Sequence, residues 1–502
     1  EGPIFSGIVV GHRIKARSRA SFLEVTCKEA AIKLTTKRRS NYFVNIKDSD
    51  VFNQILQSYE IPKEVADTGL EHKEIVQYNC SDWDFILSRA DVNGLIVTTD
   101  EGRVVIARPD FEQEPALELT YGGNIIEFEA GMDARSQYAE ITTAAWDPAR
   151  LELSESTAAD PAFTEQGNLP ASDIAGVLNA NSNTLYHGGD LDAQELQAWA
   201  DAGLLRNRLA KIRGRVRIRG VADIGPGKLV NLNGLGERFN GTAFVSGVHH
   251  QIHSGTWLTD LEIGMTPNPY SAAEDITDTP AAGLAPAIHG LHIGIVTQIE
   301  GDEREGHHRI LVRIPFVARQ GDTEGEGIWA RLGTLFAGNE YGSVFRPEIG
   351  DEVILGFVNN DPRDPVVLGV LHSNTHPAPI EASNDNFEKG LYLKGAMKLA
   401  FNDDDKSILL ETEAGNSILL SEREEKVIVN DQNGNRITLS SDGIVLRSAK
   451  DITLDASSGD IELKANNIKL KANMNLALEG NANAKLKGGQ QAVIKGGMVM
   501  IN

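Results

Sequence analysis

The last hundred residues limit what this chain can fold into more than any other stretch. From Ile444 onward they read as short apolar-polar-apolar triplets: IVLRSAKD, ITLDASSGD, IELKANN, IKLKANMN and LALEGNAN. The lead residues Ile444, Ile452, Ile461, Ile468 and Leu476 follow one another at intervals of 8, 9, 7 and 8. This is a repeat. Within each unit a strand of about three residues turns one apolar face inward, and small or polar residues carry the corner. A solenoid closed by one chain needs on the order of 20 residues per coil, whereas eight make only one side. Three copies winding round one axis close a triangular prism with no free strand edge along the shaft. The core expected of that needle is Ile444, Ile452, Leu454, Ile461, Leu463, Ile468, Leu470, Leu476 and Leu478. Upstream, alternation with turns at Gly415-Asn416 and Gly434-Asn435 starts the strands by about Ile408. A β-sandwich or a single-chain β-solenoid is the alternative architecture.

Composition bounds the remainder. The 502 residues, 41% of them hydrophobic, provide material for three or four domains with cores of their own. No apolar run approaches the roughly 20 residues that span a bilayer, and no charged-then-apolar leader is visible. The sequence starts at Glu1 rather than Met, which leaves room for an upstream piece. Two cysteines, Cys27 and Cys80, are too few for a disulfide scaffold and read as buried thiols. A net charge of −23 disfavours nucleic-acid binding. Of the local basic patches, Lys37-Arg38-Arg39 reads as a solvated turn. In the denser one, Arg206 to Gly220, Arg215, Arg217 and Arg219 share one face of an alternating strand, solvated or subunit-facing, opposite Val216 and Ile218.

Taken in order, the first third alternates apolar and polar residues as half-buried barrel or sandwich strands do. A helix is expected after a Ser49-Asp50 cap, with Val51, Ile55 and Leu56 on one face. A second is expected after Ser81 or Asp82, with Trp83, Ile86 and Leu87 inward and Asn93-Gly94 as its stop. Two hairpins follow, one turning at Asp100-Glu101-Gly102 and one at Gly122-Gly123. Residues 148–192, rich in Ser, Ala, Asp, Asn and Pro, read as a loop or insertion with partial disorder. A helical stripe of Leu196, Trp199, Ala200 and Leu204 leads into glycine-punctuated strands, and a Pro/Ala/Thr-rich joint, residues 267–290, marks a boundary.

Residues 291–372 hold five strand-like segments in about 80 residues, which fits a small five-stranded barrel of the OB type. Here Arg346-Pro347, Gly350-Asp351-Glu352-Val353, Phe357, Asp361-Pro362, Pro365 and Gly369 make the sequence resemble the VgrG-like spike proteins of contractile injection machines, relatives of contractile phage tail hubs and spikes. The stretch Ser81-Asp82-Trp83-Asp84-Phe85 through Asn93-Gly94-Leu95 is similar to that family's hub, as is Ala145-Trp146-Asp147-Pro148, and residues 215–264 resemble its second hub barrel. The resemblance implies a mainly β chain with minor α: a two-barrel hub over 1–285, an OB-fold barrel over 286–375, a linker over 376–405, and a triple-stranded intertwined β-helix over 406–502, formed by a homotrimer. It also implies that two hub barrels per chain make a pseudo-sixfold ring matching a sixfold inner tube.

No catalytic, cofactor-binding or metal-binding residue is expected. Only residues 372–406 separate barrel from needle, too few for a hydrolase domain, and the chain stops at Asn502 without a toxin extension. His249 and His253 fall on one side of a strand and His250 on the other, with no metal-ligand spacing; His289, His292, His307 and His308 carry no ligand role. Some relatives end in a His-x-His pair that binds iron on the axis. This sequence ends GGMVMIN, so three copies of Val499, Met500 and Ile501 would leave a blunt apolar tip suited to a PAAR-type cap. A rival reading, a carbohydrate-active β-solenoid, needs two carboxylates about 5–9 Å apart in a cleft, whereas Asp455, Glu462 and Glu479 sit on different coils with no aromatic platform. An adhesive fibre is a further alternative, disfavoured by the bulk of the hub. The expected function is mechanical: a trimeric hub that plugs the inner tube, contacts tube and baseplate proteins, and drives a needle through a target membrane. The expected location is an extracellular or secreted phage tail-like particle, assembled in the cytoplasm without a signal peptide.

Overall fold

A computed structural model describes residues 4–272, 276–304, 306–317 and 327–501. The end of the predicted strand segment 308–319, part of the joint 267–290, and both termini at Glu1 and Asn502 lie outside the described residues. The chain divides into two units, residues 1–370 and 371–502.

The first unit opens with a two-stranded ribbon, β1 (Ile8–Arg17) and β2 (Ala20–Lys28). Next come β3 (Arg38–Lys47), α1 (Asp48–Ser58), β4 (Lys63–Val65), β5 (Glu71–Ser81), α2 (Asp82–Val92), β6 (Ile96–Asp100) and β7 (Arg103–Ala107). In α1 the apolar residues recur at helical spacing, and Val51, Phe52, Ile55 and Leu56 are buried against Leu34, Ile86, Val104 and Ile106. Ser81 caps α2 by accepting the Asp84 amide, as its sequence position implies. The inward face of α2 is Phe85, Ile86 and Ala90, with Trp83 packed at its edge, rather than Trp83, Ile86 and Leu87. The β6–β7 hairpin turns at Glu101-Gly102, both in the left-handed region.

Next come β8 (Leu117–Thr120), β9 (Ile125–Met132), β10 (Glu140–Asp147), β11 (Glu152–Thr157), α3 (Ala171–Val177), β12 (Ser182–His187), α4 (Ala193–Leu209), β13 (Ile212–Arg219), β14 (Leu229–Asn233), β15 (Gly241–His253) and β16 (Thr256–Ile263), and a second core is built by β8, β9 and β13 to β16. Six of these strands form one open sheet in the order β8-β14-β15-β16-β13-β9. The expected hairpin at Gly122-Gly123 is therefore not a ladder: β8 and β9 take opposite ends of a curled sheet, because β8 pairs in parallel with β14 and β9 pairs with β13. Where a two-barrel hub was expected, residues 1–285 hold this half-barrel and smaller sheets among their described residues, not two closed barrels. Residues 148–192 are also not the loop expected. Their Ser/Glu-rich ELSEST alternation forms β11 on one edge of β10, β12 pairs with the other edge, and α3 buries Ala171, Ile174 and Ala175. Polar strands escape a reading based on apolar periodicity.

The expected OB barrel is present and closed. Strands β17 (His292–Gln298), β18 (Arg309–Arg313), β19 (Ile328–Leu332), β22 (Glu352–Phe357) and β23 (Pro365–Leu371) follow the ring β17-β18-β19-β23-β22. Between them β20 (Ala337–Gly338) and β21 (Tyr341–Gly342) form a small hairpin. Val296, Ile310, Val312, Val353, Leu355 and Val367 fill the barrel. Gly350, in a left-handed turn, donates its amide to the Val296 carbonyl, and Val296 donates to Asp351. These two bonds and the β17–β22 pairing shut the seam.

The second unit starts earlier than expected. β24 (Glu388–Tyr392) and β25 (Lys398–Asn402) occupy the stretch predicted as linker, and β26 (Ser407–Glu411), β27 (Ser417–Ser421), β28 (Lys426–Asn430), β29 (Arg436–Ser440) and β30 (Gly443–Arg447) continue them in one antiparallel meander. Gly390 and the flanking lysines mask the alternation of the first two strands. Among the described residues, no helix is long and apolar enough to cross a membrane.

One polar network lies deep in the first unit. Asp48, 1% exposed, accepts both arms of Arg89 (2.7 and 2.8 Å), His72 Nε2 (3.1 Å) and Asn93 Nδ2 (2.9 Å). Arg89 also reaches Glu195 at 3.0 Å, tying the first core to α4. Burial alone would raise the Asp48 carboxyl, but the His72 and Arg89 hydrogen bonds outweigh it and hold the group well below the usual carboxylate range. A depressed carboxylate gives stability that is complete above the unfolded value, about 4, and is lost as pH falls toward the folded one. Urea denaturation is therefore expected to show the stability of the first unit falling below about pH 4. Asp48→Asn should cost about 3 kcal/mol at neutral pH, because Arg89 is left buried with one partner fewer, and should flatten that acid limb. In the barrel, Leu355→Ala should cost about 3 kcal/mol by the same measurement.

Candidate functional site

The seven strands of the second unit are joined in a register that sorts side chains by face. One in-register row runs Leu391, Leu399, Leu410, Ile418, Val429, Ile437 and Leu446 across all seven strands. The next row on the same face runs Phe401, Ile408, Leu420, Val427, Leu439 and Ile444, with Lys389 at its end. Successive residues of a strand alternate faces, so this side of the sheet is an apolar band two residues wide. Except for Leu399, every apolar member is 36–71% exposed. The opposite face carries one central row, including Leu409, Leu419 and the buried Ile428, between polar flanks such as Ser417, Ser421 and Asn430. A Lys398–Glu411 ion pair of 2.6 Å lies along it.

Beyond β30 the chain runs on through residues 451–501 without a regular strand. Ile444 closes the apolar band on β30, opposite Leu439. Ile452, Leu454, Ile461, Leu463, Ile468, Leu470, Leu476 and Leu478 are 51–77% exposed. The residues expected as a core therefore have no cover within one chain. Val499, Met500 and Ile501 at the tip are exposed as well.

The carboxylates Asp455, Glu462 and Glu479 lie on this extended segment, all exposed. No group of three His, Cys, Asp or Glu side chains that could hold a metal exists among the described residues. His249 stands opposite Asp260 and His250 opposite Thr259. His250 contacts the Thr259 hydroxyl at 3.0 Å, and its ring meets Trp257 edge-on. Burial and the neighbouring His249 push the His250 imidazolium down. His292 bonds the His289 carbonyl and packs against Phe357.

The basic strand is paired, not free. Arg217 grips Asp260 with two bonds, 2.7 and 2.9 Å, and reaches Glu127 at 3.2 Å, while Arg215 also reaches Glu127 at 3.2 Å. Val216 and Ile218 fill the core behind them. Arg38 and Arg39, expected in a solvated turn, instead open β3: Arg38 bonds the Asn79 and Thr277 carbonyls, and Arg39 sits 3.3 Å from buried Asp82 and over the Tyr59 ring. Of the cysteines expected to be buried, Cys27 is exposed on β2 and Cys80 is half-buried.

Comparison with known proteins places these features. Residues 1–254 match the family model described as Alg8 N-terminal domain, and residues 292–372 match the type VI secretion system/phage-baseplate injector OB domain. The type VI secretion system spike protein VgrG3 of Vibrio cholerae is 28% identical over 156 residues, 29% of this chain and 15% of that protein. The spike protein VgrG1a of Pseudomonas aeruginosa is 25% identical over 234 residues, 43% of this chain and 35% of that protein. The chain thus spans about a third or less of the length of these relatives. Among solved structures, the E. coli c3393 protein, described as a component of the type VI secretion system, aligns over 73% of this chain and 83% of its own, with TM-score 0.32 and 13% identity. The chain belongs to the Alg8 N-terminal domain family, and the VgrG-like resemblance read from its sequence is matched by spike-protein relatives.

Arg217→Met would leave the nearly buried Asp260 carboxylate without its two-pronged partner. Denaturation of that variant should show a loss of about 2 kcal/mol, and Arg217→Met combined with Asp260→Leu should recover part of it.

Proposed function

We propose that this VgrG-like chain is the structural central spike of a contractile injection machine and works as a homotrimer. One observation carries the reading: a sheet and a tail of about a hundred residues leave a continuous apolar stripe uncovered in a single chain. Covering the twelve half-exposed side chains of the band is worth about 1 kcal/mol each, so on the order of 10 kcal/mol per chain, an upper figure. That matches the whole stability of an ordinary domain. A solvated monomer forgoes it, and three copies with their bands facing one axis recover it.

In this reading the needle is residues 406–502 with β24 and β25 as its first layer, and Ile452 to Leu478 become core as the tails intertwine. Residues 1–285 form the hub that caps the inner tube and meets baseplate proteins, and 286–375 are the OB collar. Val499, Met500 and Ile501 from three copies present the seat for a PAAR-type tip. The mechanism is transfer of load. Contraction pushes tube and spike as one body, and a needle whose every layer couples three chains resists buckling while it pierces the target membrane. No step requires a catalytic residue, cofactor or nucleic acid. A solenoid enzyme is disfavoured because Asp455, Glu462 and Glu479 are exposed on different repeats of an extended tail that has no regular strand.

Light scattering of the purified chain should give the mass of three chains, and the species should resist detergent until boiled. Ile418→Asp with Val429→Asp, adjacent on the apolar band, should shift the mass to one chain while leaving the barrel folded. A well-folded wild-type monomer would overturn the reading. Deleting residues 481–501 should release a co-expressed PAAR-type cap; undiminished co-purification would remove that part of the proposal.

A further inference from the structure

Two cations of the first unit are buried at one pocket with fewer carboxylates than they need. Arg208, near the end of α4, and Lys211, in the join before β13, have side chains 4% and 2% exposed. They share one carboxylate, Glu165: Lys211 bonds it and also the Leu169 carbonyl (2.8 Å), and Arg208 Nε lies 4.0 Å from it. The other acid within reach, Asp160, is 85% exposed and 3.8 Å away, where solvent screens it. The remaining Arg208 nitrogens are spent on the Tyr138 and Ala139 carbonyls and the Asn207 amide oxygen. Arg208 Nε and one proton of the Lys211 ammonium therefore have no hydrogen-bond acceptor among the described residues. A buried charge without its counter-charge is costly, so the pair has room for a second anion.

The pocket that Arg208, Lys211 and Glu165 line has a volume of about 150 Å³, the size of cavity that takes one benzene ring. The rest of its lining is largely apolar and includes Phe111, Phe163, Phe244 and Leu229. Phe111 and Phe163 stack with centroids 4.3 Å apart, and Phe244 tilts onto Phe111 at 6.2 Å. Phe163 and Glu165 come from one short segment, which Gln166 and Gly167 pin to the half-barrel through the Phe239 and Asn240 carbonyls. A few convergent polar groups on an aromatic lining are the ordinary make-up of a small-molecule site. We infer that this pocket binds a small aromatic acid, one ring bearing one carboxylate. The carboxylate accepts from Arg208 Nε and Lys211 Nζ and brings the cluster to two cations and two carboxylates, while the ring packs among the phenylalanines. An inorganic anion would leave the aromatic lining unfilled, and a nucleotide exceeds the volume.

The site lies within one chain and stands or falls independently of the trimer. Calorimetric titration of the full chain with benzoate tests it, with benzyl alcohol as the uncharged probe of similar size. Benzoate should bind with a Kd of roughly 0.1 mM, ordinary for a ligand so small, and benzyl alcohol about tenfold more weakly, because it forgoes the charged hydrogen bonds. Lys211→Met should weaken benzoate about tenfold and leave benzyl alcohol unchanged. Removal of a buried cation can upset the fold, so Glu165→Gln provides a second variant. It takes away the competing carboxylate and should tighten benzoate about tenfold, since the ligand then supplies the nearest counter-charge to both cations. Failure of benzoate to bind the folded wild-type chain, or binding no tighter than that of benzyl alcohol, overturns the inference. Benzoate binding that Glu165→Gln leaves unchanged or weakens overturns it too, because the acid would then sit elsewhere.

Discussion

An unfinished β-sheet governs this molecule. Strands β24 to β30 satisfy one another's backbone groups through six antiparallel ladders, yet the register that does so collects their apolar side chains on a face that the chain does not cover. Register cannot slip to relieve this, because a shift of one residue would move the whole band to the other face and expose the polar flanks to whatever buries it. Within the meander, backbone pairing between neighbouring strands is thus made while side-chain burial is not. That division separates what a single chain folds, the meander, from the band that it leaves uncovered.

The same division explains what was legible in the sequence. Where burial is internal, pattern and structure agree. The OB strands alternate around Val353 and Leu355, α1 repeats at 51, 52, 55 and 56, and α4 buries Leu196, Ala200 and Leu204. Where elements are polar on both faces or half-solvated, the pattern fails. β11 hides in a Ser/Glu run, β12 in an Asn-rich one, and β24 behind Lys389 and Gly390. Long-range partnership is harder still to read. Nothing local in LELTYGGNIIEF tells that β8 and β9 belong at opposite ends of a sheet, since the parallel partner of β8 lies more than a hundred residues away. The ion pairs share this difficulty: Asp48, Arg89 and Glu195 come from three helices, and no spacing rule joins them.

The candidate site shows the limit from the other side. The eight-residue period marked Ile444, Ile452, Ile461, Ile468 and Leu476 as core, and one chain leaves every one of them more than half exposed. Period reveals which side chains want burial. It does not reveal which chain supplies the cover. The repeat's brevity adds only that eight residues make one side of a coil and do not enclose themselves.

The load transfer proposed above requires that residues 1–285 and the OB barrel not swivel on the Pro-rich joint between them. The joint's composition suggests a hinge, but its described contacts tie it down. Tyr270 donates its hydroxyl to Asp84 (2.7 Å) and its amide to Asp91 (2.9 Å), both on α2. Burial and the Asp84 hydrogen bond push the Tyr270 phenol far up, so it remains a donor at any working pH. Farther along, Thr277 accepts from Arg38 and Asp278 from Asn79 (2.5 Å) at the β3–β5 end. At the other end Ile288 donates to the Asn360 carbonyl of the barrel. Net hydrogen bonds contribute about 1 kcal/mol each, which is small beside a core, but these are distributed along the joint at separate anchor points. A strap held at several points resists rotation in proportion to its lever arms, whereas the same bonds gathered at one point would leave a pivot. Pinning of this kind lets a loop-like composition serve as a connection anchored on both the α1/α2 core and the barrel.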